Sequence, residues 1–186
     1  FDISIMMVSG GNFEVLAVDG NNFLGGDDFD NLILEQLLLH LQQEYGEDFS
    51  ENEVVKSLLK GHAEQAKIQL SREESYRVVV AGIATTQQGA PVNLDKTLNR
   101  PDFEILISTL IEGSIDLTNK ALRHAGLSAG EIHRVLLVGG STRIPLVHRR
   151  LKEVFGDRIE IDVDPMQCVA LGAAIQTAIP DRKSVV

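Results

Sequence analysis

The sequence predicts an α/β fold, a mixed β-sheet with flanking helices into which a smaller α+β subdomain is inserted. Three observations lead there. Strand-like segments come first in pairs, long amphipathic segments follow, and strand then alternates with helix towards the end. Four consecutive branched apolar residues, Val135 to Val138, read as a strand buried on both faces. That run is broken by Gly139-Gly140-Ser141-Thr142 ahead of Arg143-Ile144-Pro145, and proline opens helices, so a strand, a tight turn and a helix are expected.

Residues 1–8 and 13–18 alternate in polarity around the turn cluster Ser9-Gly10-Gly11-Asn12, which predicts a β-hairpin. Gly25-Gly26-Asp27-Asp28 then opens a helix, capped by Asp27 or Asp28, with an apolar stripe of Leu34, Leu37, Leu38, Leu41 and Tyr45 and a stop at Gly46. Ser50 and Glu53 have capping-box spacing for a second helix over 51–71, whose core stripe is Leu59, Ala63, Ala66 and Leu70. Tyr76 to Ile83 and Pro91 to Leu98 form a second hairpin through the loop 85–89. Asn99, Pro101 and Asp102 start a long helix to Ala125, with Phe103, Leu106, Leu110, Leu117, Ala121 and Leu122 as its core face and Gly126 at its end. A short turn over 128–131 precedes the glycine-broken strand. Its helix ends near Gly156, a short strand covers 159–163, and 165–178 reads as a closely packed helix of small residues, with 181–186 expected to fray.

Composition narrows the function. The 186 residues are 44% hydrophobic and 24% charged, enough for one domain or two small subdomains with a core. A net charge of -10 argues against nucleic acid or an anionic membrane as partner. The longest apolar run, 29–41, is interrupted by Asp30, Asn31, Glu35, Gln36 and His40 and cannot span a bilayer. Cys168 is the sole cysteine and is expected in helix packing, which suits a reducing, cytoplasmic setting. His40, His62, His124, His133 and His148 have no metal-ligand spacing, so neither a metal site nor a catalytic triad is assigned. The first residue, Phe1, falls inside a strand, so the chain is expected to be part of a longer protein.

The residues with chemistry to offer lie in two places. Glu64, Lys67 and Ser71 stand at i, i+3 and i+7 beside the stripe of the second helix, with Ile68 next to them. They are either an ordinary solvated face or a ligand edge in which a carboxylate and an ammonium meet ribose hydroxyls and Ile68 meets a purine plane. At the turn, Gly139 and Gly140 permit close backbone approach, Ser141 could cap the helix, and Arg143 could lie on a base or reach a phosphate. The same turn is equally a plain strand-to-helix connection. Asp2 is either a solvated edge residue or a polar group facing the site.

Five strings in order, Phe1-Asp2-Ile3-Ser4-Ile5, Leu24-Gly25-Gly26-Asp27-Asp28-Phe29-Asp30, Ala63 to Ser71, Leu137 to Pro145, and Asp164-Pro165 with Val169 to Ala174, resemble the DnaK-type (70-kDa) heat-shock chaperone family. The resemblance covers nearly the whole chain and implies lobe II of its actin-like, ribonuclease H-like ATPase domain. The nucleotide-facing subdomain would be residues 1–24 and 108–186, and the inserted outer subdomain 25–107, where a nucleotide-exchange factor docks. It implies ATP or ADP as ligand, with Mg2+ in the complete domain. Glu64, Lys67, Ser71 and Ile68 would hold adenosine. Gly139, Gly140, Ser141, Thr142 and Arg143 would form the opposite wall, with Gly26 in the same pocket and Asp2 towards the phosphate end. Lobe I, a J-domain cochaperone and unfolded polypeptide are the further partners implied.

Two positions depart from the family pattern. Met166 replaces a usually acidic residue, and Ile68 stands where eukaryotic members carry Arg, as in bacterial forms. The family's phosphate loop and catalytic lysine are not among these residues, so the chain alone is expected not to hydrolyse ATP. Another actin-like ATPase or sugar kinase, and an interaction module that holds no nucleotide, are the alternatives. A dinucleotide fold fits least, because Gly139-Gly140 lacks the third spaced glycine.

Overall fold

The computed structural model describes residues 1–160 and 164–178. β1 (Asp2–Ser9) and β2 (Asn12–Gly20) form the first antiparallel hairpin. Gly10 and Gly11, both at positive φ (58° and 83°), supply the two left-handed residues a tight hairpin turn needs. α1 (Gly26–Tyr45) starts where the Asp28 carboxylate accepts the Gly25 N–H at 2.7 Å, and it ends at the left-handed Gly46. Ile33, Leu37 and Leu41 form the most buried line of its stripe.

α2 (Glu53–Leu70) begins two residues later than the Ser50 spacing predicts. Ser50 instead donates its N–H to Asp48, in a turn that tucks Phe49 into the core, and Asn52 caps the helix by accepting from Val54 and Val55. Leu59, Ala63, Ala66 and Leu70 are fully buried, as their spacing predicts. β3 (Ser75–Thr85) and β4 (Pro91–Asn99) form the second hairpin, with a register break between Val80 and Ala84. At that break the Tyr45 hydroxyl donates to the Asn93 carbonyl (3.0 Å) and accepts its N–H (2.9 Å), while the Asn93 side chain takes the N–H of Gly82. The end of α1 therefore satisfies backbone groups that the bulged strand leaves unpaired.

α3 (Arg100–His124) runs as expected, but its core face is turned. Ile107, Ile111, Ile115 and Thr118 are buried beside Phe103, Ala121 and Leu122, while Leu106, Leu110 and Leu117 are only half-buried. Two adjacent stripes of similar apolarity run along this helix, and what it packs against selects between them.

After the capping-box turn Ser128–Glu131, β5 (Val135–Leu136) pairs in parallel with β6 (Ile159–Glu160). α4 (Pro145–Phe155) and α5 (Cys168–Ala178) complete the chain. The α/β class holds, and among the described residues the strands form three two-stranded sheets. Beyond β5 the chain is diverted by Gly139, at φ +90°, and the 3-10 turn Gly140–Arg143. The expected strand Val135–Val138 is not buried on both faces: Leu137 is buried and Val135 half-buried, while Leu136 and Val138 are exposed. α5 departs from expectation too: Val169, Leu171 and Ile175 are exposed, and Cys168 opens the helix with its thiol against the Asp164 carbonyl. The strand over 161–163 and the tail from 181 lie outside the described residues.

Two apolar clusters hold the molecule. The larger gathers α1, α2, the β3–β4 hairpin and the first half of α3, and reaches Ile144; the smaller joins Ile5 to Ala121, Leu122 and Phe155. α3 belongs to both.

Candidate functional site

The N-terminal turn of α1 lies against the middle of α2, and between them opens a cleft of about 510 Å³ lined by Gly26, Asp27, Asp30, Lys60, Glu64 and Lys67, among others. Its floor is an ion pair that burial isolates from water. The Lys67 ammonium donates to Asp30 Oδ2 at 2.8 Å and to the Gly26 carbonyl at 3.1 Å, with side-chain exposures of 13% for Lys67 and 8% for Asp30. Asp30 Oδ1 is buried without a hydrogen-bond partner. Burial pushes the Asp30 carboxyl above its ordinary value, opposed by Lys67. On the rim Lys60 pairs with Asp27 at 2.6 Å and donates to Asn31, and that contact holds the Asp27 carboxyl below its ordinary value. Glu64 is exposed and makes no ion pair among the described residues.

Gly26 is where the two halves of the site meet. A Cβ on it would lie 2.9 Å from Ser141 Oγ and 3.0 Å from Lys67 Nζ, so only glycine lets the α2 lysine and the 140–143 turn approach from both sides. The structure thus brings Gly26, Lys67 and Ser141 together, with Glu64 on the same cleft. Ser71 ends α2, donating its hydroxyl to the Lys67 carbonyl at 2.9 Å, and Ile68 is half-buried.

The rest of the turn is braced by its own bonds. Gly139 donates its N–H to the Pro165 carbonyl at 2.9 Å, and the Thr142 hydroxyl donates to the Gly139 carbonyl at 2.6 Å. Ser141 lies inside the 3-10 turn and does not cap α4, whose N-cap is Ile144. Arg143 is engaged by Asp164 at 2.5 Å; the Met166 N–H and then Arg143 hold that carboxyl below its ordinary value. A Cβ on Gly140 would come 3.2 Å from the Met166 sulfur. Asp2 is exposed and paired across the hairpin with Gly20.

Sequence reasoning missed Asp30 and Asp164. The signal for Asp30 was legible: one carboxylate sits within the stripe Phe29, Ile33, Leu37, where a buried charge demands a partner. Asp164 was visible only as part of the Asp164-Pro165 motif, and its pairing with Arg143, on a turn 21 residues away, was not.

Among the described residues no three His, Cys, Asp or Glu side chains cluster as a metal would need. A nucleotide's sugar and base end fits the donor set. Lys67 has a third N–H beyond those given to Asp30 and Gly26, Glu64 is an uncommitted acceptor, and Asp30 offers an unmatched oxygen. The cleft carries three carboxylates, Asp27, Asp30 and Glu64, against the two lysines Lys60 and Lys67, a balance that does not favour a triphosphate.

A family model described as Hsp70 protein matches residues 1–185. The class so defined is a chaperone ATPase with the actin-like fold, to which the observed α/β architecture conforms. This chain belongs to the Hsp70 family, and the resemblance read from the five motifs is borne out. No helix among the described residues is long and apolar enough to cross a membrane.

Proposed function

We propose that this chain is lobe II of the ATPase domain of an Hsp70 chaperone and holds the adenosine end of ATP or ADP between α2 and the Gly139–Arg143 turn. One observation carries the reading: Lys67 from α2 and Ser141 from the turn converge on Gly26, where a Cβ would crowd both. Glu64 accepts from the ribose hydroxyls and Lys67 donates to a sugar or base oxygen. Ile68 and Arg143 give the base an apolar and a planar surface. ATP supplies the phosphoryl group; the residues here bind and orient its nucleoside end and leave hydrolysis to groups at the phosphate end.

The subdomain division at 25–107 is part of the same reading; most of the larger apolar cluster falls within it, and Leu24, Ile111 and Ile144 join that cluster from outside. In the complete domain lobe II closes with lobe I around nucleotide and Mg2+. Residues 25–107 meet an exchange factor, and the J-domain cochaperone and unfolded polypeptide act through the whole chaperone. A cytoplasmic setting agrees with the lone, unpaired cysteine.

Calorimetric titration with ADP tests the site. The chain binds ADP, and Glu64→Ala and Lys67→Ala each weaken it about 10-fold, equivalent to about 1.4 kcal/mol. Absence of heat at millimolar ADP would leave an interaction module, and sugar-dependent binding would leave a kinase lobe.

A further inference from the structure

We propose that Asp30 is the positioning residue for Lys67, holding its ammonium on the floor of the α1–α2 cleft; this rests on the nucleoside reading of that cleft. Asp30 lies in the buried stripe of α1 between Phe29 and Ile33, where folding alone is served as well by an apolar side chain of similar size. Its geometry is that of an anchor. One oxygen takes Lys67 Nζ at 2.8 Å while the Gly26 carbonyl takes a second N–H at 3.1 Å, so two of the three ammonium donors are fixed and the third is left for a ligand. The other oxygen is buried and has no protein hydrogen-bond partner among the described residues.

The second consequence concerns Glu64. Glu64 and Lys67 are three residues apart on α2, a spacing at which opposite charges pair readily. Lys67 is drawn inwards to Asp30 instead, and Glu64 stays exposed without an ion pair among the described residues. Without Asp30 the flexible lysine stem swings to Glu64, and the acceptor and the donor of the cleft cancel each other.

A double-mutant cycle read by ADP titration tests this. Asp30→Ala weakens ADP binding about 10-fold, Lys67→Ala does the same, and the double variant is within about 2-fold of Lys67→Ala alone. Asp30→Asn, whose amide oxygen still accepts from Lys67, recovers part of the loss. In both Asp30 variants Lys67 is acylated faster by acetic anhydride than in the unmodified protein, as read by peptide mass spectrometry. Should Asp30→Ala fail to melt cooperatively, the same cycle is run with Asp30→Asn, whose smaller loss must vanish in the Lys67→Ala background. Additive losses, or unchanged Lys67 labelling, overturn the role of Asp30. If Lys67→Ala and Glu64→Ala both bind ADP like the unmodified protein, the nucleoside reading falls and this proposal falls with it. A costly Lys67→Ala with uncoupled Asp30 variants overturns the proposal alone.

Discussion

Replacing Gly26 by alanine separates the needs of the fold from those of the ligand. Gly26 is the first residue of α1 and its φ is not positive, so alanine adopts the same backbone without strain. The new methyl stands 2.9 Å from Ser141 Oγ and 3.0 Å from Lys67 Nζ, closer than carbon tolerates. Both atoms end side chains that rotate, so the clash is relieved by one withdrawing from the site. Alanine in place of glycine in a helix gains up to about 1 kcal/mol, less in the first turn, which offsets the displacement. Stability thus stays within about 1 kcal/mol of the unmodified protein. The ligand fares differently: losing one hydrogen bond from a charged group costs about 1.5–3 kcal/mol, or about 10- to 150-fold in affinity. Urea denaturation and ADP calorimetry on the same preparation read the two quantities. Undiminished ADP affinity in Gly26→Ala would refute the convergence of Lys67 and Ser141 on the ligand. So would a stability loss above about 3 kcal/mol, which would make Gly26 a folding residue.

Three further outcomes follow from the packing and the charges. Ile107→Ala costs about 2–5 kcal/mol and Leu106→Ala clearly less, because Ile107 is fully buried and Leu106 half-buried; equal losses in chemical denaturation would contradict the observed face of α3. Tyr45→Phe removes both bonds to Asn93 and costs about 1 kcal/mol, with faster amide exchange at Asn93 as the local signature; unchanged exchange would contradict the bridging role. Asp27 (by Lys60), Asp95 (by Arg77), Glu112 (by Arg150) and Asp164 (by the Met166 N–H and Arg143) are held below their ordinary values. Their stabilisation is present above the unfolded-state values and is lost as pH falls through the lower folded-state ones. Asp30, raised by burial, acts oppositely: its contribution is full below the ordinary value of 3.8 and is lost as pH rises above it. Urea midpoints therefore fall on acidification, and more steeply in Asp30→Asn, from which the opposing group is gone; a shallower fall would contradict the direction assigned to Asp30.

Local chemistry made much of the fold legible. Gly10-Gly11 dictates the first hairpin, Gly46 ends α1, and the 59, 63, 66, 70 spacing fixes the buried face of α2. What stayed hidden depends on partners distant in the chain. Leucines and isoleucines on α3 offer two neighbouring stripes, and only the elements packed against them choose the isoleucines. Ser50 and Asn52 both have cap chemistry, and the burial of Phe49 decides for Asn52. Small residues in α5 suggested close packing, yet Val169, Leu171 and Ile175 are exposed, as are Val8, Phe13 and Val18 on the first hairpin. At the site, the polar line Glu64, Lys67, Ser71 was readable from helical spacing alone. The partner that draws Lys67 inwards was not, because Asp30 lies 37 residues earlier on another helix.

In the proposed function, adenosine lies between α2 and the Gly139–Arg143 turn. Amide chemical shifts during titration with ADP test it most directly. Saturable shifts are expected, concentrated at Gly26, residues 64–71 and residues 139–143, and abolished by Lys67→Ala. Shifts confined to the β1–β2 hairpin, or none at millimolar ADP, would contradict it.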